Sequence, residues 1–254
     1  MNPQRRGPTP WCFVWAALAW LLPGLPCAQA AESYYILIFS LHDAATDHKD
    51  RAHSFAVFVR ATNDGTALDP ARCRLETHTI SWLPASLQVN CRRWRSEPGV
   101  NLDLATTLCW GAEHGLCLSL WGPYEIEKCL YDDSLLKKQE LDSGCLRYKA
   151  IDAACKTAEI SNCIHTITDL VLQTASIRLC TPCWGQSASY FIAQACVHRL
   201  IAPERTHDWL LARLDLADRP LVRQRLEDGN PNPRPWQRRL QDSLHQRLIE
   251  KRQR

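Results

Sequence analysis

The stretch Ser161-Asn162-Cys163-Ile164-His165 places a cysteine directly after two good helix-capping residues. Unsatisfied N–H groups and the positive end of the macrodipole at a helix start stabilise a thiolate, which lowers the thiol pKa and makes a usable nucleophile near neutral pH. Such a sulfur also needs a base. His53, in the apolar run HSFAVFVR, supplies one, and His78, in LETHTISW, supplies a partner to orient it. Tyr148, upstream of the cysteine, offers a hydroxyl that can donate to an oxyanion beside the Cys163 backbone N–H. Each residue has a plainer reading as well. Cys163 can be a disulfide half-cystine, His53 and His78 hydrogen-bonded core histidines, and His165 a helix-surface residue. Cys180-Thr181-Pro182-Cys183 is a second candidate, as a structural disulfide participant, a redox pair or half of a zinc site. A zinc site needs a second such pair, and none is present. Of ten tryptophans, Trp82, Trp110, Trp121 and Trp184 suit either a carbohydrate platform or core packing.

The elements that must position these side chains follow from periodicity. Ser33 to Leu41 and His53 to Arg60 are apolar and β-rich on both faces, which predicts buried strands, with Asp43 to Arg51 as a loop between them. Asn63-Asp64-Gly65 reads as a turn, and Leu75 to Trp82 alternates with His78, Ile80 and Trp82 on one face. Asp103 caps a predicted helix that carries Leu104, Thr107, Leu108 and Gly111 and closes at Gly115. Leu116 to Trp121 returns to strand. Gly122-Pro123 then reads as a break that opens a helix through Ile126, Leu130 and Leu135 to Gly144, with Leu146 to Ile151 as the next strand. Ser161 to Thr174 carries an apolar stripe of Ile164, Ile167 and Val171, and Ser187 to Leu200 reads as another helix. The fold class predicted is α+β.

From Pro203 the composition changes to Arg, Leu, Gln and Asp, interrupted by Asn230-Pro231-Asn232-Pro233-Arg234-Pro235, which no helix can cross. Two peripheral helices joined by a kinked linker are expected there. Residues 203–254 hold 12 Lys and Arg against 8 Asp and Glu, whereas residues 31–202 hold 16 against 19. The basic tail reads as a solvated amphipathic segment or as a contact for an acidic surface, membrane or partner. It lacks the continuous basic face of a nucleic-acid binder, so no nucleic-acid partner is expected.

Residues 1–30 read as a secretory signal peptide: Arg5 and Arg6 precede the apolar run from Trp11 to Leu22, and Ala28-Gln29-Ala30 is a cleavage site. Pro23 and Pro26 end the apolar run short of a span, and Pro26 before Cys27 disfavours lipidation. The expectation is a secreted or periplasmic protein with no stable membrane span. Of thirteen cysteines, eleven lie beyond Ala30, a density that suits an oxidising compartment with disulfides. Eleven is odd, so at least one cannot pair within a monomer.

A histidine on an early strand, followed much later by an Asn-Cys-x-His word opening a helix, resembles the circularly permuted papain-like proteins. These are the NlpC-type branch that includes YiiX-like and lecithin:retinol acyltransferase-like members. His53 in HSFAVFV and Cys163 in SNCIH carry the resemblance, which covers roughly Ser33 to Leu200. It implies a papain-like core, an antiparallel sheet packed with helices over residues 31–202, followed by the helical tail. It also implies thiol protease, amidase or acyltransferase chemistry with Cys163 as nucleophile and no cofactor or metal. The substrate expected is an envelope or extracellular amide or ester. The competing reading is a non-catalytic, disulfide-stabilised extracellular binding or structural domain.

Overall fold

The computed structural model describes residues 31–43, 52–65, 67–152, 159–172 and 185–229. The leader, the Cys180–Cys183 pair and the Pro-rich break lie outside them.

Two long strands of β-branched and aromatic residues form the centre. β1 (Ala31–His42) and β2 (His53–Asn63) pair antiparallel from Ala31↔Asn63 to Leu41↔His53. β3 (Arg74–Ile80) joins β2 with Ala56 opposite Ile80, and β6 (Cys117–Ile126) joins the other side of β1. β9 (Leu221–Gln224) runs parallel to β6 and gives the sheet order β3-β2-β1-β6-β9. A second sheet has the order β4-β5-β7-β8, made of β4 (Trp82–Pro84), β5 (Glu97–Asn101), β7 (Arg147–Tyr148) and β8 (Ile160–Ser161). Successive side chains of a strand point to opposite faces. Ile36, Ile38, Ala56 and Phe58 therefore enter one core, and Leu37, Phe39, Phe55 and Val57 another. The first core is closed by α2 (Lys128–Asp142), α3 (His165–Leu172) and α4 (Gly185–Cys196), the second by α1 (Leu104–Glu113) and the short α5 (Trp209–Arg213). Apolar residues on both faces of β1 and β2 follow directly from this double cover.

The capping chemistry of α1 is as its sequence predicts. Asp103 accepts from the Thr106 N–H at 2.7 Å, and Thr107, Leu108, Trp110 and Gly111 are buried. At the far end Leu116 N–H donates to Gly111 C=O and Gly115 N–H to Ala112 C=O, with Gly115 at φ +65°. That pair of bonds is the Schellman closure.

Four expectations need correction. The main sheet is mixed rather than antiparallel, because β9 pairs parallel to β6. Gly122-Pro123 does not end its strand: β6 passes through it by a bulge between the Ile36 and Ile38 pairings, with Gly122 at φ +95°. Proline is tolerated at a bulge because no ladder bond is asked of it there. The helix after Asn162 begins at His165 rather than Ser161, and Ser161 pairs with Tyr148 as strand.

The fourth concerns the tail. Residues 203–229, where the first of the two peripheral helices is expected, are instead packed on the body, since Leu210, Leu211 and Leu216 are buried in the second core and Leu221–Gln224 completes the sheet; the second helix falls outside the described residues. Arg213 secures the segment by donating to the carbonyls of Pro70 and Cys73. Its leucines bury apolar area that a solvated helix would leave in water.

Candidate functional site

Cys163 sits in the turn between β8 and α3, and the turn is held by its neighbours' polar atoms. The Asn162 carboxamide oxygen accepts from the N–H groups of Ile164 and His165, both at 2.9 Å, and its amide donates to Asp152 Oδ1 at 2.9 Å. The other Asp152 oxygen lies 2.7 Å from His165 Nδ1, with both side chains buried. Asp152, Asn162 and His165 thus tie the segment after β7 to the start of α3. His165 is a buried partner of a carboxylate, not the helix-surface residue expected. Through Asp152 it braces the turn that carries Cys163.

β3 pairs with β2 only from Ala56 onward, and ahead of that pair the Ser54 backbone N–H favours the Cys163 thiolate. Cys163 therefore lies beside the peptide that links His53 to Ser54. Burial pushes its thiol up to about 11, with Cys91 and Asp152 adding to the rise, against the opposing pull of the Ser54 and Cys163 N–H groups. The lowered pKa expected from a helix start is absent. Asn162 already occupies the N–H groups of Ile164 and His165, and only 9% of Cys163 is exposed to water. Like Cys73, Cys109, Cys117, Cys129, Cys145 and Cys196, it is a free thiol.

His53 opens β2 with its ring on the face of the second core, 5.8 Å from the ring centres of both Phe55 and Trp110. Its Nε2 is 2.9 Å from Ser81 Oγ, and its Nδ1 is buried without a hydrogen-bond partner. Neither nitrogen bonds the thiol. Burial alone drives the imidazole down to about 3, so ring and sulfur are both neutral at pH 7. Ser81 stands at the corner where the chain leaves β3 for β4. Asn101 fixes that corner by accepting from Ser81 N–H at 2.8 Å and donating to Thr79 C=O at 3.0 Å.

Of the four residues singled out by sequence, Cys163 and Tyr148 lie in the first core, His53 turns its ring toward Phe55 and Trp110 of the second, and His78 packs against α2. Tyr148 is buried in the same core as Cys163, and burial, then the Cys163 charge, holds its hydroxyl well above the usual phenol range. His78 is opposite Phe58, four residues along β2 from Ser54, which at strand rise is about 13 Å. Its ring stacks on Phe58 and its Nε2 is 2.7 Å from Ser134 Oγ of α2, so it belongs to the packing of that helix. The residue that does hold His53 is Ser81, which the sequence reading missed. Its signal was parity: extending the β2–β3 register one step places Ser81 opposite Phe55, on the face of His53.

Among the described residues no three His, Cys, Asp or Glu side chains converge as metal ligands, and no helix is long and apolar enough to cross a membrane. Compared with known proteins, the chain matches no family model, no curated protein and no solved structure.

Proposed function

We propose that this chain is an exported thiol-dependent acyl hydrolase or acyltransferase acting on an ester or amide, with Cys163 as nucleophile and His53 as base. One observation carries the reading: a fully buried imidazole is fixed through one nitrogen to Ser81 with its other nitrogen left without a partner, and the free thiol Cys163 is influenced by the N–H of Ser54, the next residue of β2. A buried, unsatisfied ring nitrogen costs free energy that accepting a proton or a substrate contact would relieve. The permuted papain-like order, histidine before cysteine, supports the same assignment.

In the reaction, the Cys163 sulfur attacks the acyl carbon as its proton passes to His53 Nδ1. The Cys163 N–H and the Tyr148 hydroxyl are assigned as the donors to the developing oxyanion. The imidazolium then gives its proton to the departing alkoxide or amine, leaving a thioester on Cys163. Water or an acceptor alcohol, deprotonated by the same ring, breaks that thioester and restores the thiol. A neutral resting pair suits transfer in concert with attack, and hydrogen bonds of this kind tighten when substrate is bound. The signal-peptide reading of residues 1–30 supports a substrate outside the cytoplasm.

The neutral states of Cys163 and His53 favour one alternative, a non-catalytic extracellular domain in which both are packing residues. Incubation with a p-nitrophenyl acyl ester, acid quench and peptide mapping separates the two. The enzyme reading expects a hydroxylamine-labile adduct on the Cys163 peptide that disappears in Cys163→Ala and falls by about 100-fold or more in rate in His53→Ala, the usual contribution of a general base. Adducts confined to the exposed Cys109, Cys129 and Cys145, or unaffected by loss of His53, overturn it.

A further inference from the structure

We infer that Thr107 is a positioning residue that fixes the tautomer of His53, through a one-way chain of hydroxyl protons ending on the Asp103 carbonyl. The inference rests on the proposed role of His53 as a base. Thr107 Oγ1 lies 2.7 Å from Asp103 C=O and 2.8 Å from Ser81 Oγ, and Ser81 Oγ lies 2.9 Å from His53 Nε2. A carbonyl oxygen only accepts, and a hydroxyl carries one proton.

The Thr107 proton is therefore committed to Asp103. If it pointed at Ser81 instead, two oxygen lone pairs would face each other at 2.7 Å. Thr107 Oγ1 is left to accept, and the Ser81 hydroxyl donates to it. Ser81 Oγ then has only acceptor capacity for the ring, so His53 Nε2 must carry the imidazole proton. The lone pair falls on Nδ1, the nitrogen without a partner. The base thus holds its free electron pair on the ring nitrogen that has no hydrogen-bond partner.

Rigidity at both ends makes the chain directional. Asp103 is the N-cap of α1, and its carbonyl also accepts the Thr107 N–H at 2.9 Å, so the acceptor cannot turn away. Ser81 is held by Asn101 on its N–H and by the Leu102 N–H on its carbonyl at 3.1 Å. Without the Thr107 hydroxyl, the Ser81 hydroxyl loses its acceptor and turns its proton onto Nε2. The imidazole proton then moves to Nδ1, and the base is lost although every side chain around the ring remains.

The test is nitrogen NMR of the full chain labelled at histidine, with the His53 signals assigned by their disappearance in His53→Gln. The wild type is expected to show a protonated Nε2 and an unprotonated Nδ1. Thr107→Val, which keeps the shape of the side chain, is expected to exchange those two signatures and lower the rate of Cys163 acylation by about 100-fold. Thr107→Ser is expected to restore both. A wild-type ring protonated at Nδ1, or a Thr107→Val ring with unchanged signals, overturns the inference. The expected tautomer together with no acylation of Cys163 leaves this assignment standing and removes the enzyme reading instead.

Discussion

Asn162 accepts from the N–H groups of Ile164 and His165, so the donors that a helix start would turn toward a thiolate at Cys163 are already in use. What remains is desolvation, opposed only by the Ser54 and Cys163 N–H groups, and it wins. The consequence is opposite to the usual expectation for a nucleophilic cysteine. At pH 7 iodoacetamide is expected to modify the exposed Cys109, Cys129 and Cys145 first and the buried Cys163 and Cys196 last, as followed by peptide mapping against time. Because the folded thiol titrates near 11, its alkylation is expected to rise about tenfold per pH unit up to that value. Alkylation of Cys163 ahead of the exposed thiols would place its pKa below that of an ordinary cysteine. Sequence alone singled out Cys163 and His53 because a capped cysteine and a histidine in an apolar strand are conspicuous. Ser81 and Thr107 are not conspicuous, since a hydroxyl acquires its role only when the β3–β4 corner meets α1.

Elements whose burial is set by their own periodicity were the legible ones. β1, β2 and α1 emerge near their expected bounds because each carries its own apolar pattern, and α1 also carries its own caps. Gly122-Pro123 and the two-residue β7 and β8 were not legible, because a bulge and a short bridge depend on which neighbour the chain meets. The second sheet owes its position to one such meeting. Pro84 pairs with Gly99, and a Cβ at Gly99 would fall 1.9 Å from the Trp82 indole. Trp82 is fully buried and its ring fills the space a side chain would need. Gly99→Ala is accordingly expected to destabilise the protein by about 3 kcal/mol, at the upper end for overpacking. A thermal or urea melt reads the loss; an unchanged midpoint would mean that the indole has room to move. Since β5 ends at Asn101, which holds Ser81, the same variant is expected to loosen the corner beneath His53.

At the scale of the whole molecule, residues 203–229 close the second core that a peripheral tail would have left open. Leu210 and Leu216 are fully buried and Leu211 nearly so. Burial of one such side chain is worth about 1.5–3 kcal/mol, and net stability is only about 5–15 kcal/mol. Removal of residues 203–254 is therefore expected to abolish the cooperative thermal transition, and Leu210→Ala or Leu216→Ala alone to cost about 2–5 kcal/mol. A truncated chain that melts cooperatively at the wild-type temperature would show that the first core suffices. Composition could not reveal this, because leucines spaced among arginines read equally well as a solvated helix or as a segment lying on a core.

The pairing of β9 with β6 also orders events in time. Leu118 meets Leu221 across about a hundred residues of intervening chain, and closing so long a loop is slow compared with zipping β2 onto β1. As the chain emerges from its amino end, β1, β2 and β6 can assemble well before β9 exists as a partner. Throughout that interval the outer edge of β6, with its unpaired N–H and C=O groups, is a template that any other extended chain can join. The last strand thus acts as a stopper, and the period before it arrives is when a nascent molecule most needs a chaperone or simple dilution.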